Sequence, residues 1–229
     1  MACMAATGAL VIPVLGAEST GKTVLAPQLA ARIAAETGLA ATWVPEQLRL
    51  WCERAGRTPR PDEQAGIAAA QRDAIEAAAA GHDVVIADTA PLTIAVYSRL
   101  LFDDASLIEP ACRWHRRCAL TLLTAVDLPW VADGHMRDGP HVREPVDTLF
   151  RDALAARGLP WALVAGRGAA RLENALDALA PLLRERAAPR RGLFTRLAER
   201  NAQDRPWTCE LCDDPACEHQ TRLSRPAAP

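Results

Sequence analysis

The stretch that decides the fold is "GALVIPVLGAESTGKTVL", residues 8–25. An apolar run, Leu10–Leu15, leads into Gly16-Ala17-Glu18-Ser19-Thr20-Gly21-Lys22-Thr23, and a segment of helical period follows. The octet is a G-x-x-x-x-G-K-[ST] pattern in the context that gives it meaning, a strand before it and a helix after it. Glycines let the backbone curl until several N–H groups point inward at phosphate oxygens. The helix that starts at the same place presents its positive end to the same anion. Lys22 can then reach the β- and γ-phosphates of a nucleoside triphosphate, and the Thr23 hydroxyl can coordinate Mg²⁺. Lys22 is the sole lysine among 26 basic residues. Arginine's planar head does not replace a compact ammonium in such a cradle, which gives an arginine-using chain a reason to keep lysine here.

Outward from this loop, apolar β-prone runs alternate with Ala-rich helical segments. Strands are expected at 10–15, 41–44, 84–87, 120–125 and 161–164, with helices near 22–36, 62–80, 91–102, 145–157 and 169–185. That alternation predicts an α/β P-loop NTPase fold, a five-stranded parallel sheet with helices on both faces. Pro13 cannot donate to a ladder, so a local irregularity is expected in the first strand. The texture changes near residue 187, dividing the chain into a kinase-like domain over 1–187 and a linker with a Cys-rich tail over 188–229.

The composition narrows the classes. A net charge of −2 gives no reason to expect a nucleic-acid partner. No apolar run reaches the length of a bilayer. The opening residues lack a basic stretch and run straight into the loop, so we read no signal peptide there. A cytoplasmic protein is expected, with its 7 cysteines as free thiols or metal ligands. Self-association as a homo-oligomer stays open.

Several residues join the loop as site candidates. Asp88 ends the third strand in "VVIADTAPLT" (84–93), where a Walker B carboxylate approaches Mg²⁺; a helix start is the competing role. Glu46 and Arg49, in "ATWVPEQLRL" (41–50), fall at the carboxyl edge where open α/β sheets bind ligands. A carboxylate there can take a proton from a substrate hydroxyl, or simply open a surface helix. Gln71 could hydrogen-bond a base or amide, although a solvated helix position accounts for it better. The segment "TAVDLPWVADGHMRDGPHVRE" (124–144) is too polar and too rich in Gly and Pro for a core element. Its Arg137 and Arg143 suit a kinase lid that neutralises the transferring phosphoryl group. Trp130 could stack on a flat ring or pack beneath the loop.

Taken together, "GAESTGKT", "VPEQLR", "DTAPLTIAVYSRLLF" and "DLPWVADGHMRD…VRE" resemble the ribosylnicotinamide kinase domain of NadR-type proteins, over roughly residues 9–185. The resemblance implies a kinase that moves the γ-phosphate of ATP to the 5′-hydroxyl of nicotinamide riboside. It implies that Gly16 to Thr23 bind ATP and Mg²⁺ and that Asp88 serves the metal or the hydroxyl. Glu46, Trp130 and Asp133 would lie near the riboside, with Arg137 and Arg143 as lid arginines. One departure stands out: the family often carries a second acid two residues past Asp88, where this chain has Ala90. From the chain's length we expect the kinase part alone, without the adenylyltransferase or helix-turn-helix parts of bifunctional members.

The tail "WTCELCDDPACEHQ" (207–220) places Cys209, Cys212, Cys217 and His219 in a C-x₂-C-x₄-C-x-H array. Three thiolates and an imidazole within so short a span match a structural tetrahedral Zn²⁺ site; a Cys-rich disordered tail or a redox pair are the alternatives. Three whole functions are therefore weighed. The first is an ATP-dependent nucleoside kinase. The second is a nucleotide-sensing interaction module with a zinc tail and little turnover, motivated by Ala90. The third is a nucleic-acid kinase or ATPase using the tail as a knuckle, against which the mildly acidic balance speaks.

Overall fold

Residues 8–132 and 139–187 are described by a computed structural model. The Zn²⁺ candidates Cys209, Cys212, Cys217 and His219, together with Asp133 and Arg137, lie outside the described residues. Five strands, β1 Leu10–Leu15, β2 Ala41–Val44, β3 Val84–Asp88, β4 Thr121–Thr124 and β5 Trp161–Val164, form one parallel sheet in the order β2-β3-β1-β4-β5. The doubly wound sheet expected from the alternation of elements is what forms.

The strands are apolar on both faces because both faces are covered. Ile12 and Val14 of β1 point to one side, against α1 (Lys22–Thr37) and α7 (Gly168–Arg186). Leu25, Leu29 and Ile33 of α1 recur every four residues and are buried in that layer. Burial of each such side chain contributes roughly 1.5–3 kcal/mol. On the other face, α3 (Gln64–Ala79) covers Val44, Val85 and Ala87 through Ile75. Beside it, Leu15 and Leu123 pack with α4 (Pro91–Phe102), α5 (Ile108–His115) and α6 (Arg143–Ala155), around the fully buried Phe150. Among the described residues no helix is long and apolar enough to cross a membrane.

Pro13 does not break β1, which stays in register with β3 through Pro13↔Ala87. In a parallel strand, alternate residues address opposite neighbours. The Val11 carbonyl accepts from Ala119 on the β4 side and the Val14 carbonyl accepts from Thr89 on the β3 side. The missing N–H of Pro13 therefore falls toward β4, where the ladder is limited to Val14↔Leu122 and Leu15↔Leu123. The expected irregularity is a shortened ladder, not a bend.

Two helices are additions to the sequence-based picture, α2 (Gln47–Ala55) and α5. The first buries only Cys52, so its sequence shows almost no apolar face. The second is a short segment with Pro110 in its first turn.

At the end of α5, His115 is 1% exposed, and its Nε2 lies 2.6 Å from the Thr121 hydroxyl of β4. Its Nδ1 is buried without a hydrogen-bond partner. Burial pushes its pKa down from 6.5 to about 4. As pH falls, protons therefore bind the unfolded chain first. Stability is undiminished above pH 6.5 and is lost progressively between about 6.5 and 4, by about 3 kcal/mol for this one group. Denaturant titrations at several pH values should show this limb in the wild type. In His115→Gln, which cannot take up the proton, the difference from wild type should shrink over the same window.

Candidate active site

The loop between β1 and α1 is held in its curl from behind. At Gly16, φ is +147°, and a Cβ added there would sit 2.1 Å from the Thr124 hydroxyl oxygen. No other residue fits. The Thr124 hydroxyl lies 3.0 Å from the Leu15 carbonyl and 2.7 Å from Thr20 Oγ1, and the Thr20 hydroxyl donates to the Ala17 carbonyl at 2.8 Å. Ser19 adopts φ +56°, and Gly21 at φ +80° opens α1. Lys22 Nζ donates back to the Ala17 carbonyl at 2.7 Å, which holds the ammonium over the hollow of the loop.

A second support comes from α7. Arg171 is 4% exposed and donates through Nη1 to the Thr20 carbonyl at 2.9 Å, and through Nε to the Gly166 carbonyl at 2.8 Å. Its other nitrogen pairs with the Asp127 carboxylate, which also accepts from the Gly166 N–H at 2.7 Å. One guanidinium thus joins the P-loop, the end of β4 and the turn after β5.

The register Val14↔Asp88 sets Asp88 beside the strand that feeds the loop. Asp88 is 1% exposed, and neither of its carboxylate oxygens has a hydrogen-bond partner of good geometry. Burial raises its pKa, opposed by the Thr23 hydroxyl, the Lys22 ammonium and the Arg49 guanidinium. A buried carboxylate beside a hydroxyl, with both its oxygens lacking a hydrogen-bond partner of good geometry, offers oxygen ligands that suit a divalent cation. The next residue, Thr89, is fully buried at φ +74° with its own hydroxyl unpartnered. A β-branched residue in that region is strained by roughly 1–3 kcal/mol.

In front of the loop lies a cavity of about 670 Å³. The loop residues form one side, Glu46, Arg49 and Cys52 of the α2 segment a second, and Thr93, Tyr97 and Leu101 of α4 a third. Glu46 and Arg49 thus share the cavity with the whole loop from Glu18 to Thr23. Gln71 does not reach it. It is fully buried, not solvated, and its Oε1 accepts the Gln47 N–H at 2.7 Å, which secures the first turn of α2.

Trp130 lies against the loop rather than on the cavity wall, its indole N–H donating to Glu18 at 3.3 Å. Glu18 also accepts from the Gly139 N–H at 3.4 Å, while the Ser19 hydroxyl and Val131 backbone bond each other reciprocally at 3.1 Å. Arg143 is 8% exposed and donates to the Leu128 carbonyl at 2.8 Å, which fixes the start of α6 to the segment after β4.

Thr124, Arg171, Gln64, Thr93 and Tyr97 escaped sequence reading. Arg171 alone left a trace, as the one charged residue on a face otherwise made of Leu172, Ala175, Leu179 and Leu183.

Removing one partner of a buried pair strands the other. Arg171→Met should destabilise the fold by about 3 kcal/mol and weaken ATP binding by freeing the Thr20 carbonyl. Thermal melts and nucleotide titrations check both effects. Unchanged nucleotide affinity in a folded variant would restrict Arg171 to a structural role.

An AAA domain family model matches residues 11–171. No curated protein matches the chain. Among solved structures, the NadR protein in complex with NAD and AMP-PNP has 25% identity and a TM-score of 0.56, over 76% of this chain and 49% of that one. The NadR protein in complex with NR has 23% identity and a TM-score of 0.57, over 76% and 50%, and supports the fold alone. The chain spans about half the length of these NadR structures. A kinase-like P-loop fold similar to that of NadR is thus present, and the chain belongs to the AAA domain family.

Proposed function

We propose that the protein is an ATP-dependent kinase that phosphorylates the 5′-hydroxyl of nicotinamide riboside or a similar nucleoside. The observation that carries this reading is the meeting of three features at one sheet edge. These are the phosphate-binding loop with Lys22, the buried Asp88 carboxylate beside Thr23, and a cavity sized for a small acceptor. The NAD and AMP-PNP held by the NadR structure of 25% identity support it by analogy.

In this reading the loop amides and the N-terminus of α1 hold the phosphates. Lys22 moves from the Ala17 carbonyl to the β- and γ-phosphates. Thr23 and Asp88 would hold Mg²⁺, which when bound neutralises charge on the phosphate oxygens. Glu46 lines the cavity and Asp88 does not, so Glu46 is assigned the proton of the acceptor hydroxyl. The freed oxygen bonds to the γ-phosphorus as the bond to the β-phosphate oxygen breaks, and ADP leaves. Arg49 orients the acceptor. Arg143 acts through its grip on Leu128 to position Trp130; Asp133 and Arg137 take the riboside and lid roles that the resemblance implies. The four tail residues from Cys209 to His219 would hold a structural Zn²⁺.

Incubation with ATP, Mg²⁺ and a nucleoside panel, followed by mass spectrometry, should yield a nucleoside monophosphate and ADP. Lys22→Ala should lower kcat by about a hundredfold or more while the protein stays folded. ATP binding without any phosphorylated product would instead favour a nucleotide-sensing module. Metal analysis should find about one zinc per chain, lost in Cys212→Ser; a metal-free wild type would remove the zinc assignment.

A further inference from the structure

The α4 wall of the cavity carries polar groups that the chemistry above leaves unused. Thr93 is 3% exposed, and its hydroxyl is buried without a hydrogen-bond partner. Its N–H is already committed to the Ala90 carbonyl at 2.8 Å. Gln64, the first residue of α3, is 4% exposed, and its side-chain amide makes no hydrogen bond among the described residues. Both side chains line the same cavity. A buried hydroxyl or amide left unpaired costs about 1–3 kcal/mol, and folded proteins retain few of them. The Thr93 hydroxyl is such a group, and the Gln64 amide, on a different helix, is open to the same cavity; together they mark where a ligand supplies partners.

The wall is also graded. Thr93, Tyr97 and Leu101 follow one another at four-residue spacing, so they share a face of α4, and all three line the cavity. Exposure rises along this stripe from 3% at Thr93 to 44% at Leu101. Phe102 beside it and Val24 from α1 extend the outer part, at 36% and 63% exposed. Hydrogen-bonding groups thus sit deep, an aromatic ring sits midway, and the rim is apolar. An acceptor that matches this gradient carries its hydroxyl groups inward and a flat, weakly hydrogen-bonding body outward.

We infer that Thr93 and Gln64 read the sugar hydroxyls of a ribose-bearing acceptor, and that selectivity rests on the sugar and not on the base. This rests on the kinase reading above. Apolar contact at the rim distinguishes ring systems weakly, whereas a site built to hydrogen-bond a hydroxyl rejects the analogue that lacks it.

The test compares kcat/KM for a set of ribosides with their 2′-deoxy and 3′-deoxy counterparts in wild type, Thr93→Val, Thr93→Ser and Gln64→Leu. The wild type should prefer ribosides by roughly tenfold or more, with smaller differences between bases. Thr93→Val should lose about tenfold on ribosides while at least one deoxy substrate is unaffected, and Thr93→Ser should restore the preference. KM for ATP should not change. Equal losses on every substrate would overturn the inference, since packing alone would explain them. So would a full riboside preference in both Thr93→Val and Gln64→Leu, or a wild type indifferent to the sugar. A wild type that binds ATP but phosphorylates no nucleoside would instead remove the kinase reading, and this inference with it.

Discussion

The site depends on one constraint: a peptide loop must keep its N–H groups turned inward while its carbonyls are held elsewhere. An isolated run of six residues would not stay that way, because left-handed and extended backbone states cost entropy and strain. Here three contacts hold it. Gly16 lies so close to the Thr124 hydroxyl that a side chain is excluded. Thr20 and Thr124 join the loop to β4. Arg171 takes the Thr20 carbonyl from the far side. Each contact links the loop to an element distant in sequence, so the phosphate hollow belongs to the whole sheet and not to the eight-residue motif.

Sheet topology supplies the rest. With β1 central and β3 and β4 on either side, the carboxyl ends of three parallel strands open at one edge. The loop leaves β1, Asp88 ends β3, and the segment with Trp130 leaves β4. Ligand sites in open α/β sheets fall at such an edge because the strand order reverses there and leaves a crevice. Ribose or phosphate chemistry could not be assembled from these residues in an antiparallel arrangement, where strand ends alternate.

The parts of this design that were legible in the sequence are those written locally. Strand positions could be read because a sheet covered on both faces demands continuous apolar runs, as in residues 84–87. The loop could be read because its glycines answer a backbone need. What stayed hidden is set by long-range partners. Gln71 reads as a solvated helix residue, yet its amide oxygen receives the Gln47 N–H from a different helix. Arg171 reads as one arginine among many, yet its partner at Thr20 is 151 residues away. The helix that starts after Glu46 and carries Arg49 buries a single residue, so no periodicity announces it.

The distribution of local costs is an independent sign of where function lies. Among the described residues, three non-glycine positions have positive φ, namely Ser19, Thr89 and Asp103. Asp103 only terminates α4, an ordinary use of that conformation. The other two sit in the loop and directly after Asp88. Among the buried side-chain atoms without partners, both oxygens of Asp88 and the hydroxyls of Thr89 and Thr93 fall at this edge, while others lie elsewhere, at Gln71, His115, Arg143 and Asp147. The sheet core nearby is apolar and well covered, so nothing in the packing forces these groups inside. A fold that places backbone strain and four unpaired polar atoms within six residues of one strand end gains nothing in stability from that edge. Burial also costs the Asp88 carboxylate more than Thr23, Lys22 and Arg49 offset, and that remaining cost favours a ligand able to relieve it.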